Sequence, residues 1–246
     1  MPHHPRQYLI SLSLTPAILI RRYKRFLADV ELSGEVITVY CPNTGAMTGC
    51  GEQGDVVWLS ISDKPGRKYR YTWELTETQA GHWICVHPQR ANEFLAQALA
   101  RRLVGAFSPY PSVLAEQKYG EEGSRIDFLL QANSLPSVYV EVKSCTLLLN
   151  GEGAFPDAKS VRAHKHLREL IRLAQGQIPT YLVYLVLHSG IHAVRPASEI
   201  DPHYAALSVD AVAAGLRVLV LRAGIDQNGL YWLGDAQTQA QALGES

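Results

Sequence analysis

The pattern of apolar and polar positions changes character once along this chain. Over the first third, short β-branched runs recur between polar turns. Residues 27–32 and 35–40 flank Ser33-Gly34 and predict a hairpin. Further strand-like runs lie at 55–61, 67–75 and 82–86. Five short strands separated by polar turns predict a small closed barrel of the oligonucleotide-binding (OB) type, and an SH3-like barrel fits the pattern almost as well. After Pro88 the period lengthens. Residues 92–103 place Phe94, Leu95, Ala98, Leu99 and Arg102 at helical spacing. Apolar runs around Asp127 and Glu141 follow. Next come a helix to about residue 174 with Asp157 as its N-cap, a buried strand at 180–188, a helix at 204–214 and a strand at 216–221. Helices alternating with buried strands mean α/β. The expected organisation is a small β-barrel over residues 1–88 and an α/β domain over 89–246, with a polar, loosely held tail after Asp235.

Two of the apolar runs carry charges that need explaining. Asp127 sits in Arg125-Ile126-Asp127-Phe128-Leu129-Leu130, and Glu141 with Lys143 in Val138-Tyr139-Val140-Glu141-Val142-Lys143-Ser144. A charge in a low-dielectric interior must be paired, hydrated or bound to a cation. Side chains alternate along a strand, so Glu141 and Lys143 share one face while Val140 and Val142 take the other. With Asp127 on a neighbouring strand, two hard oxygen donors suited to Mg²⁺ or Mn²⁺ meet beside an ammonium group. Asp, then Glu-x-Lys about a dozen residues later, is the signature of metal-dependent nucleases of the PD-(D/E)xK type. In that reading Asp127, Glu141 and Lys143 are catalytic, and Asp127 and Glu141 are metal ligands. Glu116 extends the acidic set. The competing reading is a structural ion pair on a solvated sheet edge.

Bulk properties narrow the picture. The chain has 246 residues, 47% apolar and 19% charged, which is globular rather than disordered. Basic and acidic side chains number 23 each, so a nucleic-acid surface must come from local clustering. Cys41, Cys50, Cys85 and Cys145 lack C-x-x-C spacing, which argues against zinc and for free thiols in a cytoplasmic protein. The apolar stretch 8–20 resembles a signal-peptide core, but Pro16 interrupts it and no small-residue cleavage site follows.

Three clusters supply local positive charge. Arg21, Arg22, Lys24 and Arg25 interleave with Tyr23 and Phe26, and residues 64–71 hold Lys64, Arg67, Lys68 and Arg70 with two tyrosines. Charge tracks a phosphate backbone while rings stack on bases. On the 159–170 helix, Arg162, His166 and Glu169 share one face and Lys165 lies nearby, so a cationic groove is expected beside the carboxylates. An ordinary solvated helix face is the alternative. His164 and His166 diverge on a helix and are not expected to hold a metal together. The turn 41–50, rich in Gly and Thr, either presents amides to a phosphate or only shapes the chain.

These motifs together resemble the bacterial sugar fermentation stimulation protein A family over nearly the whole chain. The resemblance rests on 22–30, the 41–49 turn, Lys68 with Thr72-Trp73-Glu74-Leu75, and Ser124-Arg125-Ile126-Asp127-Phe128. It also rests on Glu141-Val142-Lys143-Ser144, Phe155-Pro156-Asp157-Ala158 and Lys165-His166-Leu167-Arg168-Glu169-Leu170. It implies an N-terminal OB barrel, a C-terminal restriction-endonuclease-like domain, sequence-nonspecific DNA binding and a regulatory part in sugar, especially maltose, utilisation. It does not itself imply nuclease activity, so an active Mg²⁺- or Mn²⁺-dependent DNA or RNA nuclease is the alternative function. One departure is that Gln97 stands where the family's first helix often has glutamate.

Overall fold

The structure, a computed structural model, describes residues 6–120 and 123–235. The expected polar tail after Asp235 lies outside the described residues. Strand β1 (Tyr8–Ser11) is followed by β2 (Leu14–Tyr23), β3 (Leu27–Leu32), β4 (Glu35–Tyr40), β5 (Val56–Ile61), β6 (Tyr71–Glu77) and β7 (Trp83–Cys85). Strands β2 to β6 form the barrel, in the order β4-β3-β2-β5-β6, closed by the pairing of Tyr40 with Thr72. Its interior holds Leu19, Val30, Val39, Val57, Leu59 and Trp73, all buried.

The set of barrel strands differs from the expected one. The signal-like stretch 8–20 forms parts of two strands, and β2 is the barrel strand that the sequence pattern missed. Pro16 does not break it, because β3 pairs with β2 only from Ile18 onward. Pro16 thus has a ladder partner on one side alone, where a missing N–H is tolerated. The run at 82–86 is not a barrel-closing strand. β7 extends the sheet beyond β6 and is stitched to the other domain. The Cys85 N–H donates to the Leu187 carbonyl at 3.0 Å, and the Ser189 N–H to the Trp83 carbonyl at 2.8 Å.

The second domain contains α1 (Gln89–Ala100), β8 (Ser112–Tyr119), β9 (Ser124–Ala132), β10 (Leu135–Cys145), β11 (Leu147–Leu149), β12 (Glu152–Phe155), α2 (Val161–Gln175), β13 (Thr180–Val186), β14 (Val194–Pro196), α3 (Pro202–Ala213), β15 (Arg217–Asp226) and β16 (Gly229–Asp235). Its main sheet runs β1-β16-β15-β13-β10-β9-β8, with β10, β13 and β15 parallel at the centre. Strands covered on both faces read as continuous apolar runs, as 180–187 does. Val183 and Leu185 pack with Phe94 and Leu95 of α1; Leu182 and Tyr184 pack with Leu167 and Leu170 of α2 and Tyr204 of α3. Residues 8–11, expected with the barrel, belong to this sheet through pairing with β16.

Helix ends differ from expectation for local reasons. α1 starts directly after Pro88 rather than at Asn92. The N-cap of α2 is Ser160, whose Oγ accepts from the Ala163 N–H at 3.1 Å, not Asp157. Asp201 caps α3 by accepting from the Tyr204 N–H at 3.0 Å, and also accepts from the Ser160 N–H at 3.0 Å. One buried carboxylate thus ties two helix N-termini together. All four cysteines are free and buried. No helix among the described residues is long and apolar enough to cross a membrane.

The seam between the domains carries a pH-sensitive group. His188, 4% exposed, lies tilted against His82 with ring centres 5.0 Å apart, and its Nδ1 accepts from the Gly190 N–H. Burial, then the neighbouring His82, holds the His188 imidazole down at about 4. Its unfolded value is about 6.5, so below that pH the unfolded chain binds the extra proton. Stability should therefore be full above about pH 6.5 and fall as pH drops toward 4. Urea midpoints measured across that window should fall for the wild type and flatten for His188→Gln; an identical slope in the variant would refute this assignment.

Candidate functional site

A cleft of about 760 Å³ opens between the barrel and the sheet. The barrel turn at Asn43 and Gly45 forms one wall, and the first turns of α1 and α2 form others. The ends of β9 and β10 form the floor. The turn is held by Arg22, whose Nη2 donates to the carbonyls of Arg25, Asn43 and Gly45 at 2.8, 2.8 and 2.9 Å. A Cβ at Gly45 would lie 3.0 Å from Asp157 Oδ2, so glycine permits the close approach of barrel and sheet domain there. Of the two readings of the turn 41–50, this contact favours shaping the cleft wall.

The floor follows from where one ladder stops. β9 and β10 pair antiparallel as far as Phe128 with Val140, and the same register carried one step on places Asp127 beside Glu141. At that point β9 changes faces. Ile126 packs with the α2-side core, whereas Phe128 packs with the α1-side core. Asp127 takes over from the ladder: its Oδ2 accepts from the Val142 N–H at 2.7 Å and its Oδ1 from Asn92 Nδ2 at 2.8 Å. Glu116 falls across from Asp127 on β8, between the pairs Ala115–Phe128 and Gln117–Ile126, with a left-handed backbone at φ 54°. It is exposed, at the cleft wall.

Glu141 is 2% exposed. Its Oε1 accepts from Lys143 Nζ at 2.6 Å and is hydrogen-bonded to His166 Nδ1. Its Oε2 is buried without a hydrogen-bond partner. Burial pushes the Glu141 carboxyl up, but Lys143 and His166 outweigh it and hold the group below its ordinary range. Asp127 goes the other way, raised by burial and then by the negative charge of Glu141. Tyr119 lies against the same cluster; burial and the charges of Glu141, Glu169 and Asp127 push its phenol upward. Its hydroxyl is also buried without a partner.

The structure thus brings Asp127, Glu141 and Lys143 into one cleft, with Glu116 at its wall. It corrects the expected cationic groove. Five carboxylates line the cleft (Glu93, Glu116, Asp127, Glu141, Asp157) against two permanent cations, Lys143 and Arg162. His166 is 7% exposed and bonded to Glu141, and Glu169 is 1% exposed, so neither belongs to an open basic helix face. Helical spacing found their shared face but not that it points inward. As expected the two histidines diverge, His164 pairing with Asp201 instead. Lys165 is half-buried on the same helix. On the barrel, Arg21 pairs with Asp29 at 2.9 Å and Arg22 is engaged with the turn, whereas Lys24, Arg25 and Lys68 are exposed. Gln97 is exposed and away from the cleft; the α1 acid that lines it is Glu93. Asn92 was missed as a site residue, its only signal being a place in the first turn of a helix beside the acids.

The donors fit a hard divalent cation. Glu141, one of whose carboxylate oxygens is buried without a partner, lines a net-acidic cleft together with a second carboxylate, Asp127. No group of three or more His, Cys, Asp or Glu side chains is already gathered around one point among the described residues. Mg²⁺ does not need one, since it commonly keeps several waters and takes one or two carboxylates.

Two family models match the chain: the Sugar fermentation stimulation protein RE domain over residues 89–229 and the SfsA N-terminal OB domain over residues 20–86. A sugar fermentation stimulation protein homolog of Psychromonas ingrahamii is 54% identical over 211 residues, covering 84% of this chain and 92% of that protein. A homolog from Pasteurella multocida is 50% identical over 206 residues, covering 83% and 86%. The solved structure of Pyrococcus furiosus SfsA in complex with Ca²⁺ shares the fold, with a TM-score of 0.82 at 24% identity over 92% of this chain and 96% of that one. The barrel is therefore of the OB rather than the SH3 type, and the second domain is restriction-endonuclease-like.

The Arg22 contacts generate a stability prediction. Three carbonyls lose a charged donor in Arg22→Ala. Hydrogen bonds to charged groups contribute about 1.5–3 kcal/mol each, partly replaced by water at this half-buried site, so a loss of about 2 kcal/mol is expected in urea unfolding. A variant as stable as wild type would show that Arg22 does not hold the turn.

Proposed function

Because the chain belongs to the sugar fermentation stimulation protein family, with its OB barrel and restriction-endonuclease-like domain, we propose that it binds nucleic acid, DNA foremost, and hydrolyses phosphodiester bonds in the acidic cleft with a divalent cation. The observation that carries this reading is the Glu141 carboxylate, one oxygen neutralised by Lys143 and His166 and the other buried and unpartnered, on a residue that lines the same cleft as Asp127. An acidic cleft repels a phosphate, so the same charges that hold a cation make the backbone's entry depend on it.

Asp127 and Glu141 would hold Mg²⁺ or Mn²⁺, with Glu116 at the wall as a further acid. When bound, such an ion polarises a phosphate oxygen and lowers the pKa of a water. The chain's own groups do the rest. Asn92 and the Val142 N–H orient Asp127. His166 orients Glu141 from behind, as partners of ligating carboxylates do. Lys143, with its side chain 13% exposed, places an ammonium where charge builds on a phosphate. The Ca²⁺ held by the Pyrococcus furiosus relative is in keeping with a divalent ion here.

One observation favours a second reading, a DNA-binding protein that regulates sugar utilisation without cutting. Both Asp127 oxygens and Glu141 Oε1 already accept hydrogen bonds within the protein. Incubation of duplex, single-stranded and branched DNA, and of RNA, with Mg²⁺ or Mn²⁺ separates the two. Cleavage should stop with chelator and fall by about 10²–10³ in Lys143→Ala, with binding retained. Asp127→Asn and Glu141→Gln should abolish it, and His166→Ala should weaken metal affinity by about 10–100-fold. Absence of cleavage on every substrate would leave the non-cutting reading in its place.

A further inference from the structure

The cleft shares lining residues with a neighbouring hollow, and that hollow with a further depression, so the three mark out a candidate trough. A depression of about 200 Å³ on the barrel is lined by Tyr40, Arg67, Lys68 and Tyr69. Tyr40 and Arg67 also border a larger hollow of about 610 Å³, which in turn shares Pro88 and Gln89 with the acidic cleft. The formal charge changes along this path. The depression holds two cations and no acid. The middle hollow holds Arg67 and Arg90 against Glu74. There Glu74 is already neutralised, accepting from Arg90 Nε at 2.9 Å, Arg90 Nη2 at 2.8 Å and Ser60 Oγ at 2.8 Å. The far cleft is net acidic.

The positive end is also aromatic. The Arg67 guanidinium lies 5.7 Å from the centre of the Tyr40 ring, and Lys68 Nζ lies 5.4 Å from that of Tyr69. Arg67 is anchored by donating to Thr72 Oγ1 at 2.7 Å. Both rings are half-buried, each with a cation over it, so part of each ring stays exposed, and Arg67 and Lys68 are exposed as well. A ring face is useful only to a base whose own face is free. In a duplex the bases are stacked on one another, so only phosphates could use this site. An unpaired strand could use both the rings and the cations.

We propose that the loop between β5 and β6, together with Tyr40 at the end of β4, is a binding site for unpaired nucleotides, in which Tyr40 and Tyr69 stack on bases and Arg67 and Lys68 hold phosphates. A single strand anchored there runs along the trough past Pro88 and Gln89 to reach Asp127 and Glu141. This inference rests on the nucleic-acid reading above and names its substrate class: single-stranded nucleic acid, or a duplex with an unpaired end.

Fluorescence anisotropy with chelator present, so that the acidic cleft is not recruited, tests it on the full chain. The probes are a labelled oligothymidylate of about twelve nucleotides, an abasic oligonucleotide of the same length and a blunt hairpin duplex. The wild type should prefer the oligothymidylate to the duplex by about tenfold or more. Tyr69→Ala should weaken that probe about tenfold while leaving the duplex unchanged, whereas Arg67→Ala, which removes a phosphate contact, should weaken both probes. Tyr69→Phe, which keeps the ring, should bind as wild type, and unchanged thermal melting shows that each variant is folded. Equal affinity for single strand and duplex, an abasic probe bound as well as the oligothymidylate, or a Tyr69→Ala variant as tight as wild type would overturn the inference and leave general nucleic-acid binding standing. Failure of the wild type to bind any of the probes, with or without Mg²⁺, would overturn both.

Discussion

The buried carboxylate of Glu141 is the constraint on which the site depends. An ionised group that is 2% exposed carries a desolvation penalty of several kcal/mol, which must be met by partners. Lys143 and His166 meet it at one oxygen only. Lys143 comes from the same strand face and His166 from α2, so the carboxylate couples the central sheet to the helix above it. The second oxygen is buried without a partner, on a residue that lines the cleft. Replacing the glutamate by an apolar side chain would relieve the sheet of a charge, which makes a purely structural account of this residue the weaker one.

Much of this was legible in the chain because strand geometry is simple. A period of two puts Glu141 and Lys143 on one face whatever the surrounding fold. The nearness of Asp127 needed only that two consecutive runs be neighbouring strands, the commonest arrangement. What the sequence concealed is tertiary. The helix face of Arg162, His166 and Glu169 read as a solvated basic stripe because spacing reports which residues align, not where they point. Two of the three point into the core, where His166 completes the Glu141 site. The acidity of the cleft was equally hidden, since Glu93 and Asp157 join it from α1 and from the segment before α2.

The barrel errors have one cause. The apolar stretch at the start has the look of a leader core, which hides its ten-residue strand β2 from a reading by pattern. With that strand absent, β7 took its place in the expected barrel. Yet β7 serves the junction, exchanging backbone hydrogen bonds with the segment after β13. The close approach of Gly45 to Asp157 makes a second contact between barrel and sheet domain. These two attachments fix the barrel loops relative to the acids, which a flexible linker at Pro88 would not.

That fixed relation gives the charge distribution its meaning. A chain with equal numbers of acidic and basic side chains has no long-range attraction for a polyanion, so its contacts must be local and ordered. Here the acids gather in the cleft, and cations lie outside it, on the barrel loops. A uniformly basic groove would bind duplex tightly and indifferently. In the proposed function, a cleft that rejects phosphate until it holds a divalent ion, with positive and aromatic residues on the barrel beside it, would separate anchoring from chemistry. Binding at the barrel should then respond to salt, whereas engagement at Asp127 and Glu141 should respond to the divalent ion.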